Sequence, residues 1–229
     1  MNGIAATVVV LLLSIIGSAA SAAERIETIR SVADLSSFSQ TYYMDPRPDL
    51  IESALHFVDD SGLAKSSGAQ GQIAMSFSCI LHRSELRNRP WQKLVRVLHE
   101  PARTILTLAA MTAPSDLLAQ MKDSPSRNDM NWACFFGSGD EIYLTNIIST
   151  LGYLNERGDL NLFLTGATAS WSLSSNARLH PRVKTALQTV VAHNGPLAGF
   201  AMDILRKTPE EVKSEFSAVV KAQHAKGIW

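Results

Sequence analysis

Apolar residues recur at helical spacing along almost the whole chain from Pro48 to the C-terminus. The stretch after Pro90 shows the pattern in Trp91, Leu94, Val95 and Leu98. These positions follow the i, i+3, i+4, i+7 order of one helix face. No alternating β-branched run bounded by hairpin turns accompanies them. Because helices with one apolar stripe must bury it against one another, the pattern predicts an all-α protein.

Prolines and glycines divide this pattern into roughly nine to eleven predicted helices joined by short loops. We interpret residues 48–229 as a single all-α domain, either a globular bundle or a short solenoid of helical pairs. Residues 23–47 are predicted to be an irregular N-terminal segment, in which positions 32–38 could line a short helix. The composition of residues 65–71 predicts a loop. The polar stretch 122–129, which contains Pro125, is the best candidate for an internal break.

Capping residues mark several predicted helix starts. Asp140 and Asp159 each precede a segment of helical periodicity and are predicted N-caps. Residues 208–211, with the sequence TPEE, match a capping box with proline in the first turn. The last helix is therefore expected to start there.

The first 22 residues carry no charged side chain. An apolar run from Ile4 to Ile16 is followed by small residues that end in Ala20-Ser21-Ala22. This order predicts a secretory signal peptide cleaved after Ala22. The alternative is an uncleaved anchor, although a spanning helix needs about 20 strongly apolar residues and this run has about 13. We therefore expect an exported protein, periplasmic or secreted, with no stable membrane insertion after cleavage.

The charges balance, with 21 basic and 21 acidic side chains. Surfaces that hold nucleic acid phosphates or anionic lipid usually carry a basic excess. We therefore predict no nucleic acid partner. The glycines match neither a dinucleotide-binding fingerprint nor a P-loop, so we predict no cofactor.

Cys79 and Cys134 are the only two cysteines. In an oxidising compartment they could form a disulfide, and closing a loop of 55 residues would stabilise the fold by about 4 kcal/mol. The alternative is a pair of small buried hydrophobic side chains. The sequence supplies no Cα–Cα distance, so it leaves both open.

The histidines suggest no complete metal site. Glu52 and His56 stand at i, i+4, and His82 and Glu85 stand at i, i+3, so each pair could share a helix face. A structural or catalytic zinc needs further ligands converging from elsewhere. We therefore predict no metal ligand.

No catalytic residue can be assigned from a motif. The single Gly-Ser-Gly, at residues 137–139, follows a predicted helix and lacks the strand context of a hydrolase nucleophile. An enzyme would need a site assembled from distant residues. Its candidate members are His82, Glu85, His99 and Glu100.

Two aromatic segments are candidate binding surfaces, because Tyr, Trp and Arg dominate interaction hot spots. The first comprises Tyr42, Tyr43, Asp45 and Arg47 on a proline-rich segment. The second comprises Trp132 and Phe136 next to a glycine turn. The alternative for both is that the rings fill the core, since aromatic side chains contribute large buried area.

Three passages carry a family resemblance. The sequence WACFFGSGD at residues 132–140 resembles the W-x-x-F-F-x-x-G-[DE] passage of a family of small exported bacterial α-helical proteins. The pair ASWSL at 169–173 and HPRV at 180–183 resembles their A-x-W-S-L and H-P-x-V passages, and Tyr42-Tyr43 before Pro46 and Pro48 is similar too. The ASWSL stretch is also similar to armadillo or HEAT-type helical repeats, but no second copy recurs at repeat spacing. The resemblance implies a compartment and a fold only.

These observations favour an exported, non-enzymatic module that binds another envelope or secreted protein or a peptide. One alternative is a periplasmic enzyme with a site around His82, Glu85 and His99. Another is a carrier of a small ligand in an apolar cavity, suggested by Met75, Met111, Met121, Met130 and Met202. Methionine is more often a filler of core gaps.

Overall fold

A computed structural model describes residues 26–86 and 89–229 of the protein. The described residues form twelve α-helices and three short 3₁₀ segments, and they contain no strand. The all-α prediction is therefore confirmed, with one helix more than the upper expected number. The predicted signal peptide, residues 1–22 with its cleavage site after Ala22, lies outside the described residues, as do residues 23–25.

The first half of the described chain contains six helices. They are α1 (Val32–Thr41), α2 (Ile51–Asp60), α3 (Ser67–Leu81), α4 (Trp91–Val95), α5 (Ala102–Met111) and α6 (Pro114–Ala119). Two 3₁₀ segments, Pro48–Leu50 and Leu63–Lys65, flank α2. Helix α1 lies within the segment that the sequence describes as irregular, at the position where its apolar residues allow a short helix.

The second half contains the longer helices. They are α7 (Pro125–Ser138), α8 (Glu141–Ser149), α9 (Leu160–Leu179), α10 (Pro181–Ala192), α11 (Ala198–Arg206) and α12 (Pro209–Ala225). The 3₁₀ segment Thr150–Asn155 follows α8 directly. Asp140 and Asp159 accept hydrogen bonds from the first turns of α8 and α9, which confirms both predicted N-caps. Thr208 and Glu211 form the predicted capping box of α12.

One local prediction is wrong in part. The predicted loop at 65–71 is helical from Ser67 onward, because α3 begins there. Gly71 lies within this helix, close to α7: a Cβ atom on it would lie 2.6 Å from Cε, the flexible end of the Met130 side chain. The candidate break at 122–129 ends at Ser124, whose side chain caps α7. Asp123 in this turn accepts a hydrogen bond from Tyr153 at 2.6 Å, which ties the turn to the second half of the chain.

The buried side chains form two large apolar clusters and a smaller one between them. The first cluster draws on α1 to α5 and the second on α7 to α11. The smaller cluster contains Met75, Cys79, Leu118 and Cys134. Helix α7 packs against α3 on one side and against α8 and α9 on the other, so it joins the two large clusters.

Cys79 of α3 and Cys134 of α7 are joined in a disulfide, with their Cα atoms 5.0 Å apart. Both cysteines are buried. The bond therefore links the two helices whose contact connects the halves of the fold. In residues 26–86 and 89–229, no helix has the length and apolar character that a membrane-spanning helix requires.

Candidate functional site: a basic cleft

A surface concavity lies where α3 ends and α4 begins. It encloses about 420 Å³. Its lining comprises Leu81, His82, Arg89, Pro90, Trp91, Gln92, Lys93, Arg96 and Ala110. We call it the α3–α4 cleft. It exists because Pro90 allows α4 to start on a new axis after the turn that follows α3, while Ala110 of α5 leaves room opposite.

Among the described residues, three cationic side chains and no acidic one line the cleft. Arg89, Lys93 and Arg96 are exposed, and none of them forms an ion pair with a described acidic residue. Basic side chains around a concave, low-dielectric wall focus their field into it. The α3–α4 cleft is therefore suited to an anionic ligand.

Two further side chains shape the cleft. The indole Nε1 of Trp91 donates a hydrogen bond to the carbonyl of Leu86 at 2.9 Å, which fixes the ring. The guanidinium carbon of Arg89 lies 5.8 Å from the Trp91 ring centroid, within cation–π range. His82 Nδ1 lies 2.9 Å from the Ser78 carbonyl, which can only accept, so Nδ1 is the donor in this contact. The wall thus combines positive charge with a fixed aromatic face.

This site was not predicted from the sequence, although a signal was present. Residues 86–99 contain no acidic side chain, while Arg89, Lys93 and Arg96 follow one another at intervals of four and three. On a continuous helix that interval would place the three side chains on one face; in the structure only Lys93 lies within α4, and the other two flank it. The balanced overall charge concealed this local excess.

A second, smaller cavity of about 190 Å³ adjoins the end of α2. Asp59, whose side chain is 6% exposed, accepts hydrogen bonds from His99 through the backbone N at 3.1 Å and through Nδ1 at 3.0 Å. The His99 side chain is 86% exposed. The contact holds the turn before α5 against the end of α2, which gives Asp59 and His99 a structural role.

The four candidate members of an assembled active site are not brought together. His82 lines the α3–α4 cleft, whereas His99 and Glu100 line the second cavity. Glu85 pairs with Arg83, which also donates hydrogen bonds to the last carbonyls of α7. Across residues 26–86 and 89–229, no group of three or more His, Cys, Asp or Glu side chains could hold a metal ion.

The first predicted binding segment is largely occupied by packing. Tyr42 is 1% exposed, and its ring meets Phe38 edge-on at 5.3 Å. Arg47 pairs with Asp49 at 2.6 Å, and Asp45 is exposed. Tyr43 is half-buried and packs on Phe135 at 5.0 Å. These positions favour the alternative in which the tyrosines fill the core.

The second predicted binding segment is also internal. Trp132 and Phe136 are both buried and stack at 5.3 Å with an interplanar angle of 19°. The Trp132 indole donates to Ser172 Oγ at 2.9 Å, which satisfies its only polar group. The methionines considered for a carrier do not converge either: Met75 is buried, Met111 and Met202 are exposed, and neither cavity is lined by any of the five.

One buried titratable group lies next to these rings. His180, between α9 and α10, is buried beside Phe136, and its Nδ1 lies 3.0 Å from the Tyr43 hydroxyl. Burial lowers the pKa of His180 below its ordinary value of 6.5. The folded protein therefore holds this imidazole neutral at a pH where the unfolded chain already binds a proton.

We expect the contribution of His180 to the free energy of unfolding to fall as the pH drops below about 6.5, because the imidazole of the unfolded chain then binds a proton more readily than the buried one. His180→Gln should flatten this dependence between about pH 7.5 and pH 5. The measurement is denaturant unfolding across that range. His193→Gln, at an exposed histidine, is the control and should retain the wild-type slope. Equal slopes for wild type and His180→Gln would contradict the assignment.

The fold and the cleft together define an all-α, disulfide-bonded protein with a basic surface cleft. Comparison with models of protein families, with curated proteins and with solved structures finds no match to this chain. The function must therefore be argued from the site itself.

Proposed function

We propose that this protein is an exported, non-enzymatic binding module that holds an acidic segment of another protein or a peptide in the α3–α4 cleft. The observation that carries the proposal is the set of three cationic side chains around Trp91, with no acidic side chain among the lining residues that the structure describes. Arg89 and Arg96 can each receive a carboxylate through two parallel N–H donors, and Lys93 can receive one as a point charge.

The chemistry of the cleft favours a modest affinity. An exposed ion pair contributes about 0.2–1 kcal/mol, so three of them change a dissociation constant by about threefold to a hundredfold. Salt should weaken binding, since exposed charges are screened. Such a site suits recognition of a short acidic segment.

A peptide is a better candidate than nucleic acid. The chain as a whole has no basic excess, and its unpaired cations at the site are confined to one cleft of about 420 Å³. Proteins that track a phosphate backbone usually present an extended basic surface. A few carboxylates on one short segment match the number and spread of these cations.

Export rests on two observations. The sequence of residues 1–22 predicts a cleavable signal peptide, and the disulfide between Cys79 and Cys134 is of a kind that persists in oxidising compartments. We accordingly place the working protein in the periplasm or outside the cell, with another envelope or secreted protein as the partner. The family resemblance stays a prediction consistent with this compartment.

We further infer a globular bundle in preference to a solenoid. In a solenoid each repeat contacts only its neighbours. Here α1 packs against α7, and α3 packs against α7 across three intervening helices. Helix α7 thus contacts helices that are distant from it in sequence, which is typical of a globular bundle.

The proposal is tested by titrating the protein with a glutamate decapeptide, followed by Trp fluorescence or calorimetry at about 0.15 M and about 0.5 M salt. The triple variant Arg89→Ala/Lys93→Ala/Arg96→Ala should lose about tenfold in affinity. A glutamine decapeptide should not bind.

The matched control also removes three positive charges, but from exposed lysines on and after α12: Lys213, Lys221 and Lys226. This triple alanine variant should bind within about twofold of wild type, since its charges lie on another element. Equal losses in the two triple variants would refute the cleft as the site. If an oligothymidylate of equal charge binds more tightly than the glutamate peptide, the ligand class of the cleft is nucleic acid and the peptide proposal is refuted.

A further inference from the structure

Two large apolar side chains are exposed on α5, the helix that contributes Ala110 to the cleft. Leu108 is 46% exposed and Met111 is 61% exposed. They lie three residues apart on α5, and therefore on the same helix face. We call this pair the α5 rim.

The α5 rim adjoins the cleft through Met111. Gln92 lines the cleft, and its Nε2 lies 2.9 Å from Sδ of Met111. Ala110, on the same helix, is also part of the lining. A ligand seated among the three cations would therefore have apolar protein surface directly beside it.

This arrangement differs from the other exposed apolar side chains of the described residues. The other exposed large apolar side chains of the described residues all lie outside α5; they are Val32, Met44, Val97, Ile142, Leu179, Met202 and Ile228. Scattered exposed apolar residues are normal and need no function. A pair on one helix face that adjoins an unpaired basic cleft is a different case, because the two surfaces can be covered by one ligand.

We propose that the α5 rim receives a large apolar side chain of the same acidic segment that the cleft holds. The ligand is then a peptide in which a leucine-like residue lies within a few positions of several carboxylates. This inference rests on the proposed function, since the carboxylates locate the segment. Charge complementarity with the cleft is what selects this occupant over a second copy of the protein, whose overall charge is zero.

The chemistry of the two surfaces explains why one alone would be insufficient. The exposed cations give attraction at a distance but little affinity once salt is present. Burial of a leucine side chain of the ligand against a neighbouring apolar surface contributes binding free energy that salt does not screen. Partial burial of that side chain corresponds to about a tenfold change in affinity. Methionine suits such a contact because its flexible thioether adapts to the shape of its partner.

The experiment compares two decapeptides that differ at one position. One carries a central leucine among glutamates, and the other carries serine there. Wild-type protein should prefer the leucine peptide by about tenfold. The variant Leu108→Ser/Met111→Ser should bind both peptides equally, with the affinity that wild type shows for the serine peptide.

The control variant Ile142→Ser/Leu179→Ser removes two other exposed apolar side chains and should keep the preference. Equal binding of the two peptides by wild type would refute the α5 rim but would leave the basic cleft supported as the site for the acidic segment. The α5 rim is equally overturned if the rim variant keeps the preference, or if the control loses it to the same degree. If neither glutamate peptide binds, the proposed function and this inference fall together.

Discussion

Replacing both Cys79 and Cys134 with alanine is expected to lower the free energy of unfolding by about 4 kcal/mol. The disulfide closes a loop of 55 residues, and its loss returns that loop's conformational freedom to the unfolded chain. For a protein of this size the midpoint of thermal unfolding should fall by roughly 8–16 °C. Denaturant unfolding of the oxidised wild type and the double variant measures the difference.

The reduced wild type is the matched control for this comparison. It lacks the covalent bond but keeps both sulfur atoms in place, so its stability should lie close to that of the double variant. The dependence of the free energy on denaturant should rise in both, because an unfolded chain without the crosslink exposes more surface. Indistinguishable midpoints for oxidised wild type and the double variant would show that the packing of α3 on α7 alone holds the two halves together.

The sequence predicted the fold best where the deciding interaction is local. Thr208 and Glu211 form their capping box within four residues, and the Asp140 and Asp159 caps each act on the next turn. Such signals need no knowledge of the rest of the molecule. The start of α3 was missed because no local cap marks it: Ser66 precedes the helix without a side-chain capping hydrogen bond, and the glycines at 68 and 71 suggested a loop.

Tertiary packing also explains why predicted helices changed length. The apolar stripe through Leu98 suggested a longer helix, but α4 ends at Val95. His99 beyond it is held by Asp59 of α2, so this part of the chain follows a turn. Neither the turn nor its partner could be read from periodicity, because residues 59 and 99 are 40 positions apart.

The candidate site was less predictable than the fold. Aromatic residues such as Tyr42 and Trp132 are of the types that form hot spots, yet both are buried. Residue type alone does not distinguish a core ring from a binding ring. The cleft depends on where Arg89, Lys93 and Arg96 lie relative to a concavity and to acidic neighbours. That information arises only when α3, α4 and α5 are packed.

The second large expected effect is at Gly166, where α9 crosses the 3₁₀ segment that follows α8. A Cβ atom on Gly166 would lie 2.9 Å from the backbone N of Leu154 and 3.0 Å from the carbonyl O of Thr150. Both obstacles are backbone atoms, which cannot rotate away as a side chain can. We expect Gly166→Ala to lower the free energy of unfolding by about 2–3 kcal/mol, at the upper end of overpacking effects.

The matched control is Gly199→Ala in α11, where no atom lies within 4 Å of the added Cβ. Alanine is the better helix former and restricts the unfolded chain, so this variant should gain about 0.4–1 kcal/mol. The same substitution is thus expected to lower the free energy of unfolding at Gly166 and to raise it at Gly199. Denaturant unfolding of both variants gives the comparison. A stabilised Gly166→Ala would mean that α9 and the 3₁₀ segment lie farther apart than this close approach, and that helix propensity dominates at both positions.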